Sequence, residues 1–476
     1  MALFGTNGVR GIANKEITPG MALDLARSLG TFLWEQKREM PTIVIGTDTR
    51  ISGTMLKNAA ISGALSCGCA VIDVGIVPTP ALQYFVKNKA QSKSQSKAQT
   101  KTDAAAVTTA DADAGIVITA SHNPREYNGL KIIAGDGTEF SREDEKAVEK
   151  IYFSKLFASA DGLKTGNVKT HPGCNDMYMA GVLKNANLPV IQKRRFKVIT
   201  DTGCGAGFST LPILLRSLGC DVLTLGAQPD GTFPWRNPEP TADALKEMSA
   251  MMRSTGFDLG IAQDGDADRA VFLDENGEFI DEEVMLAAVG KYMLQKEKGP
   301  IVTTVSTSKR LADVAKAANV PIYYTPVGSI DVARKMTDVG AVYGGEGNGG
   351  FIFPKHQTCR DGAMAAAIVL EMLCVTGMKA SEIKKSVPSY ANVKIKIPLQ
   401  GDLKKIMAGL TKEIKKENQL GFEKAETIDG IKLWFKDGWI LIRPSGTEPM
   451  IRVTAEAKTK KAAQKYAEIG KMLVLT

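Results

Sequence analysis

TIVIGTDTR occupies residues 42–50, an apolar run that stops abruptly at small and polar residues. Ile43, Val44 and Ile45 stand side by side with no polar residue between them, as in a strand buried on both faces. The polar ending is where such a strand leaves the sheet. A helical segment follows, GTMLKNAAISGALSCG (53–68), then a strand, AVIDVG (70–75), and a turn, IVPTP (76–80). The same order returns twice. FKVITDTGCGAG (196–207) runs into the helix FSTLPILLRSLG and the strand CDVLTLG; PIVTTVSTS (300–308) runs into the helix SKRLADVAKAAN and the strand VPIYYTPV. Strand, helix, strand is the unit of a parallel or mixed sheet. The tail is different. SYANVKIKIPL (389–399) and IRVTAEA (451–457) alternate like half-buried strands, Asp-Gly pairs at 429–430 and 437–438 mark turns, and a Lys-rich helix (401–418) and a final helix complete an α+β pattern. The expected fold is α/β: three similar mixed-sheet α/β domains in series, 1–160, 161–263 and 264–388, followed by a C-terminal α+β domain, 389–476.

Composition narrows the function. The chain has 476 residues, 44% hydrophobic and 24% charged, as expected for a soluble protein. No apolar stretch reaches the roughly 20 residues needed to cross a bilayer, and MALFGTNGVRG lacks the layout of a signal peptide. We therefore expect a cytoplasmic protein with no membrane partner. Seven cysteines are scattered without Cys-x-x-Cys spacing, and Cys67 and Cys69 are the only close pair; they read as reduced thiols rather than a zinc site. Net charge is +8 with no long basic run and only 6% aromatic residues. That argues against a nucleic-acid partner and suits small anionic ligands. The segment 90–114, rich in Ser, Gln, Lys and Ala, reads as a disordered loop. The oligomeric state is left open.

Four stretches carry chemistry. GIVITASHNP (115–124) is a strand that opens at Ser121, His122 and Asn123, where α/β sheets place ligands; Ser121 suits a nucleophile or phosphate carrier, although a capping serine is the plainer reading. LGIAQDGDADRAVF (259–272) puts Asp264, Asp266 and Asp268 within five residues, and oxygen donors so close suit a hard cation such as Mg²⁺. Arg269 stands where an EF-hand needs glycine, so that motif is excluded; beside the aspartates it suits a substrate phosphate. AVYGGEGNGG (341–350) offers Glu346 and Asn348 on a glycine-rich turn, a pair suited to sugar hydroxyls. LIRPSGTEPMIRV (441–453) breaks at Ser445, Gly446 and Thr447 between Arg443 and Arg452, the makings of a phosphate nest. The four stretches are spread over the expected domains, the second running across the 263/264 boundary, so a site drawing on all of them would close around a phosphosugar.

Together TASHNP (119–124), DGDADR (264–269), GEGNGG (345–350) and RPSGTEP (443–449), with FGTNGVRG (4–11) and YNGLK (127–131), resemble the α-D-phosphohexomutase family along nearly the whole chain. The archaeal-type phosphoglucosamine mutase and phosphomannomutase branch is the nearest in look. The resemblance implies a phosphoserine at Ser121 that exchanges phosphoryl groups with a hexose phosphate through a hexose 1,6-bisphosphate. It implies one Mg²⁺ held by Ser121, Asp264, Asp266 and Asp268. The catalytic set would be Ser121 with Arg10, His122 and Lys131. Substrate would meet Glu346, Asn348, Arg269, Arg443, Ser445, Gly446, Thr447 and Arg452. Asn7, Asn348 and Gly350 depart from common family residues; many bacterial relatives carry a histidine at the last position, which leaves the general base unassigned. The preferred substrate expected is glucosamine phosphate, with mannose or glucose phosphate as the alternative. A silent sugar-phosphate binder is the reading from another class, and it would be expected to have lost Ser121 or an aspartate, all of which are present.

Overall fold

A computed structural model describes residues 3–5, 7–36, 39–95, 112–398, 406–410, 421–444 and 450–475. The chain divides into two compact units, Met1–Ile280 with Gly349–Ser381, and Asp281–Asn348 with Glu382–Thr476.

The first unit holds two mixed sheets. One contains β1 (Val9–Ile12), β2 (Thr42–Thr47), β3 (Ala70–Ile76), β4 (Ala114–Ile118), β5 (Tyr127–Ala134) and β6 (Val168–Thr170) in the order β1-β5-β4-β2-β3-β6. The other contains β7 (Lys197–Asp201), β8 (Asp221–Leu225), β9 (Leu259–Gln263), β10 (Ala270–Leu273) and β11 (Phe279–Ile280) in the order β11-β10-β9-β7-β8. Both share one motif. A central strand, β2 or β7, pairs in parallel with the next strand on one side, β3 or β8, and with a third strand on the other, β4 or β9. The third strand then pairs antiparallel with its successor, β5 or β10. Consecutive connections leave the central strand on opposite sides, so a crevice opens at its C-terminal end, where such sheets place their ligands. Helix α1 (Pro19–Gln36) buries Leu25, Leu29, Phe32 and Leu33 against Ile43, Ile45, Ile116 and Ile118 of the first sheet. Each such side chain contributes about 1.5–3 kcal/mol on full burial. In the second sheet Ile199, Ala262, Val271 and Leu273 pack with Leu245, Met248 and Met252. The hairpin β15 (Gly350–Phe353) and β16 (Gln357–Arg360) and the buried helix Gly362–Thr376 also belong to this unit.

The second unit repeats the motif: β12 (Ile301–Thr304) pairs in parallel with β13 (Ile322–Thr325) and with β14 (Tyr343–Glu346). Its other part is an antiparallel sheet ordered β17-β21-β20-β19-β18, in which β17 is Ala391–Pro398, β18 Lys424–Glu426, β19 Ile431–Phe435, β20 Gly438–Pro444 and β21 Met450–Ala457. The final helix, Lys460–Leu475, packs its Ala463, Ala467, Gly470, Leu473 and Val474 face. The mixed α/β sheets and the C-terminal α+β element match the expected fold class.

The segment 90–114 corrects one expectation. Its first part is not loop, because the helix Thr79–Gln95 continues through it and β4 begins at Ala114. Ala, Gln and Lys are good helix formers, so polar composition alone does not end a helix. Residues 96–111, and most of the Lys-rich helix expected at 401–418, lie outside the described residues. No helix among the described residues is long and apolar enough to cross a membrane.

Lys432 on β19 is only 1% exposed. Its Nζ donates to Val305 O at 2.6 Å and lies 4.0 and 4.2 Å from the ring centroids of Trp434 and Trp439. Burial pushes its amine down to about 7, against the pull of Glu456, Glu426 and Glu283. A lysine in an unfolded chain titrates near 10.4. Between roughly pH 7 and 10.4 the unfolded chain therefore binds more protons, and stability rises with pH. Relative to Lys432→Met, the wild type should gain up to about 1.4 kcal/mol per pH unit across that window. Denaturation curves from pH 7 to 10 test this, and parallel profiles for the two proteins would refute it.

Candidate active site

Ser121 lies three residues beyond the end of β4, fully buried, with φ 54°. A left-handed conformation costs a non-glycine residue roughly 1–2 kcal/mol, so the loop must be held. Arg50, just beyond β2, holds it. Nη2 donates to Ser121 O at 2.9 Å and Asn123 O at 2.6 Å, and Nη1 donates to Pro124 O at 2.6 Å and Tyr127 O at 2.9 Å. The guanidinium is balanced by Asp48, whose Oδ2 accepts from Arg50 Nε at 3.1 Å and from Thr119 Oγ1 at 2.6 Å. Thr119 Oγ1 in turn accepts the Ser121 N–H at 2.9 Å. Replacing Arg50 with Met would strand a buried Asp48 carboxylate and four loop carbonyls. Breaking a buried pair in this way costs about 3–5 kcal/mol, and Arg50→Lys should fall in between, since an ammonium cannot match the fork. Chemical denaturation measures both, and a loss under about 1 kcal/mol for Arg50→Met would contradict this role.

The aspartates follow β9 as Ser121 follows β4. Gly265 brings the two loops together: a Cβ there would sit 2.6 Å from Ser121 O. Ser121 Oγ donates to Asp264 Oδ2 at 2.8 Å and lies 3.4 Å from His122 Nδ1. Lys131 on β5, also buried, donates to Asp266 Oδ2 at 2.6 Å and Asp268 Oδ2 at 3.2 Å. Thr79 Oγ1 donates to Asp266 Oδ2 at 2.6 Å, and Arg360 Nη2 to Asp268 Oδ2 at 2.6 Å. Arg269 Nε stands 4.0 Å from Asp264 Oδ2 and 3.9 Å from Asp268 Oδ1. Arg10 Nη1 donates to Asn123 Oδ1 at 3.1 Å.

Ligand oxygens from the three aspartates lie within 4.8 Å of one another. Asp266 Oδ1 and Asp268 Oδ1 are buried and have no hydrogen-bond partner, while the other oxygen of each is pinned by a cation. Burial, with Asp268 and Asp266 adding, pushes the Asp264 carboxyl up to about 8. For Asp266, burial is outweighed by Lys131, which holds the carboxyl well below its ordinary range; for Asp268, burial is outweighed by Arg360, which lowers the carboxyl. Oxygen-only donors with two unmet carboxylate oxygens fit a hard divalent cation. Burial, then Arg269, Arg10 and Arg360, push the His122 imidazole down to about 2, so it is present as the neutral ring.

The second sheet repeats the support. Asp201, the last residue of β7, copies Asp48, the first residue after β2. Each accepts the backbone N–H two residues on with Oδ1, from Arg50 at 2.9 Å and from Gly203 at 2.7 Å. Each holds a buried arginine by its Nε with Oδ2, Arg50 or Arg236, the latter at 2.8 Å. Arg236 Nη2 then donates to Gln263 O at 2.6 Å, at the entry to the aspartate loop.

In the second unit, Glu346 ends β14 and its Oε1 accepts the Gly328 N–H at 3.1 Å. Asn348 N–H donates to Glu346 O at 2.8 Å, closing the turn. Arg443 and Arg452 are directly opposed on β20 and β21, and Lys396 on β17 opposes Arg452 from the other side. Like charges placed opposite one another are unfavourable unless an anion or carboxylate offsets them. Asp429 does so in part, at 2.8 Å from Arg443 Nε. Ser445, Gly446 and Thr447 lie outside the described residues.

The first unit thus brings together Ser121, Arg10, His122, Lys131, the three aspartates and Arg269, while Glu346, Asn348, Arg443 and Arg452 stand in the second. Sequence reasoning missed Asp48, Arg50, Thr79, Asp201, Arg236, Arg360 and Lys396. The Thr-Asp-Thr of 47–49 and 200–202 was a usable signal, since an aspartate at the exit of two equivalent strands marks a repeated support. Arg360 gave none, being 92 residues from Asp268.

Models of phosphoglucomutase/phosphomannomutase alpha/beta/alpha domains I, II and III match residues 1–159, 176–277 and 281–390, and the model of the C-terminal domain matches 395–469. A phosphoglucomutase/phosphomannomutase of Thermococcus kodakarensis is 44% identical over 98% of this chain and 97% of that protein. A phosphoglucosamine/phosphogalactosamine mutase of Sulfurisphaera tokodaii is 38% identical over 99% of each. A phosphoglucomutase/phosphomannomutase family protein from Burkholderia thailandensis shares the fold, with TM-score 0.86 at 24% identity over 99% of this chain and 97% of that one.

Proposed function

Since the chain belongs to the α-D-phosphohexomutase family, we propose that it interconverts glucosamine 6-phosphate and glucosamine 1-phosphate through a phosphoserine at Ser121. The observation that carries the mutase chemistry is Ser121 Oγ at 2.8 Å from Asp264 within a buried trio of aspartates. In the first half-reaction the bond from phosphorus to Ser121 Oγ breaks and one to the free hydroxyl oxygen of the hexose monophosphate forms, giving hexose 1,6-bisphosphate; the hydroxyl gives up its proton and Ser121 Oγ gains one. The bisphosphate presents its other phosphoryl group, and Ser121 Oγ takes it back. Arg50 aims the serine by its backbone, and Arg10 and Arg269 add positive charge where phosphoryl oxygens would gather. Lys131 and Arg360 fix one oxygen of Asp266 and of Asp268, leaving the other for a ligand. Asp264, Asp266 and Asp268, with the phosphoserine, would hold one Mg²⁺, which neutralises charge on the transferring group when bound. Glu346 and Asn348 are assigned to the sugar. Arg443, Arg452, Ser445, Gly446 and Thr447 are assigned to the non-reacting phosphate.

The preference for glucosamine rests on a carboxylate, Glu346, able to pair with the sugar's ammonium, and on the Sulfurisphaera relative. The Thermococcus relative favours a second reading, mannose or glucose phosphate. Comparing kcat/KM for glucosamine 1-phosphate, mannose 1-phosphate and glucose 1-phosphate decides between them. Glucosamine phosphate is expected to lead; a tenfold lead by either of the others, about 1.4 kcal/mol of transition-state preference, overturns the assignment.

A further inference from the structure

We propose that Glu283 is a positioning residue that fixes the sugar turn 345–348 against the loop following β12. The proposal rests on reading that turn as the sugar-binding element. Glu283 lies in the first turn of the helix Glu282–Lys296, where an acid suits the helix dipole and needs no other role. Two contacts go further. Its Oε2 accepts the Ser308 N–H at 3.0 Å, in the loop after β12. On the other side the carboxylate lies so close to Gly347 that a Cβ built there would fall 2.0 Å from Oε1 and 2.2 Å from Cδ. The backbone of Gly347 is not in the left-handed region, so a side chain there would meet no backbone strain but would have to push the Glu283 carboxylate aside, away from the Ser308 N–H that holds it. On the near side of Glu346, Thr303 Oγ1 donates to Gly345 O at 2.8 Å. Both neighbours of Glu346 are therefore braced, Gly345 by a hydroxyl of β12 and Gly347 by Glu283. A carboxylate that reads a sugar must be aimed to within a fraction of an ångström, and bracing of this kind supplies the aim.

The surroundings of Glu283 give the role a pH signature. Burial, with Glu456 and Asp281 adding, pushes its carboxyl up to about 8 against the Ser308 N–H and Arg310. The charged and titratable groups facing it are Asp281 ahead of its own helix, Arg310 of the helix Lys309–Ala317, Glu456 of β21, Lys432 of β19 and Tyr324 of β13. Below about pH 8 the carboxyl is neutral, one acceptor and one donor, which is also what an amide offers. Above it, a carboxylate faces Glu456 and Asp281, and the turn should loosen.

A double-mutant cycle on the full chain, read by thermal melting and by steady-state kinetics with a hexose 1-phosphate, tests the proposal. Gly347→Ala and Glu283→Ala should each raise KM by about tenfold or more with a smaller change in kcat. The double variant should be no worse than Glu283→Ala alone, because removing the carboxylate removes what the new methyl strikes. Glu283→Gln should keep the wild-type KM at neutral pH and lose the rise in KM that the wild type shows above pH 8. Additive effects overturn the proposal, as does Glu283→Gln behaving like Glu283→Ala. Coupling in melting temperature with KM unchanged also overturns it, since the contact would then be structural only. If Glu283→Ala does not fold, Gly347→Ala and the pH profile of Glu283→Gln decide by the same criteria. A wild type inactive on every hexose phosphate would instead sink the mutase reading.

Discussion

Ser121→Ala is expected to lose at least about a thousandfold in kcat while remaining folded. The hydroxyl is the proposed carrier of the transferred group, and no other hydroxyl is hydrogen-bonded to Asp264 in the described structure. Deleting it removes one hydrogen bond, about 1 kcal/mol, and opens almost no cavity. Ser121→Gly sharpens the test. Position 121 has φ 54°, which glycine adopts freely, so the glycine variant should be about 1 kcal/mol more stable than the alanine variant and equally inactive. Intact-mass spectrometry should find one phosphate on the wild type and none on either variant. An active, unphosphorylated Ser121→Ala would overturn the mechanism.

Removing divalent cation should abolish turnover, and Mg²⁺ should restore it. A second readout does not depend on activity. A ligand bound only by the folded chain at a hundred times its Kd adds about 2.7 kcal/mol, so Mg²⁺ should raise the melting temperature of the wild type. Asp266→Asn and Asp268→Asn each remove one of the buried oxygens that lack a partner. Both should weaken the cation's affinity by about tenfold or more and blunt the thermal shift. Each also weakens a buried pair, with Lys131 or with Arg360, so some loss of stability is expected; the thermal shift is therefore read against each variant's own cation-free melting temperature. Full activity in chelator, or an undiminished shift in both variants, refutes the assignment.

Much of the fold was legible because the repeat is written in apolar strands that end in small polar residues, and both properties are local. The strand exits marked Ser121, the aspartates and Glu346 for the same reason. What stayed hidden was long-range. Arg50 serves carbonyls more than seventy residues away, and no local pattern separates such an arginine from a solvated one. Glu283 carries no local mark, since acids are common in the first turn of a helix. The helical stretch to Gln95 was misread because polar composition reports on burial, while helix formation depends also on intrinsic propensity.

The threefold motif also bears on how such a chain can evolve. Ser121, Asp264 and Glu346 stand at or just beyond the end of the third strand in three copies of one arrangement. Phosphoryl carriage, cation binding and sugar reading are thus assigned to equivalent loops on separate frames. The loops after the central strands took the supporting work, and in two of them the same aspartate still grips an arginine. Duplicated frames let one loop drift while the others keep their task. On the proposed roles, a change of sugar calls for substitutions around the turn after β14 and leaves the loops after β4 and β9 untouched, so a lineage could pass from one hexose phosphate to another without an inactive ancestor.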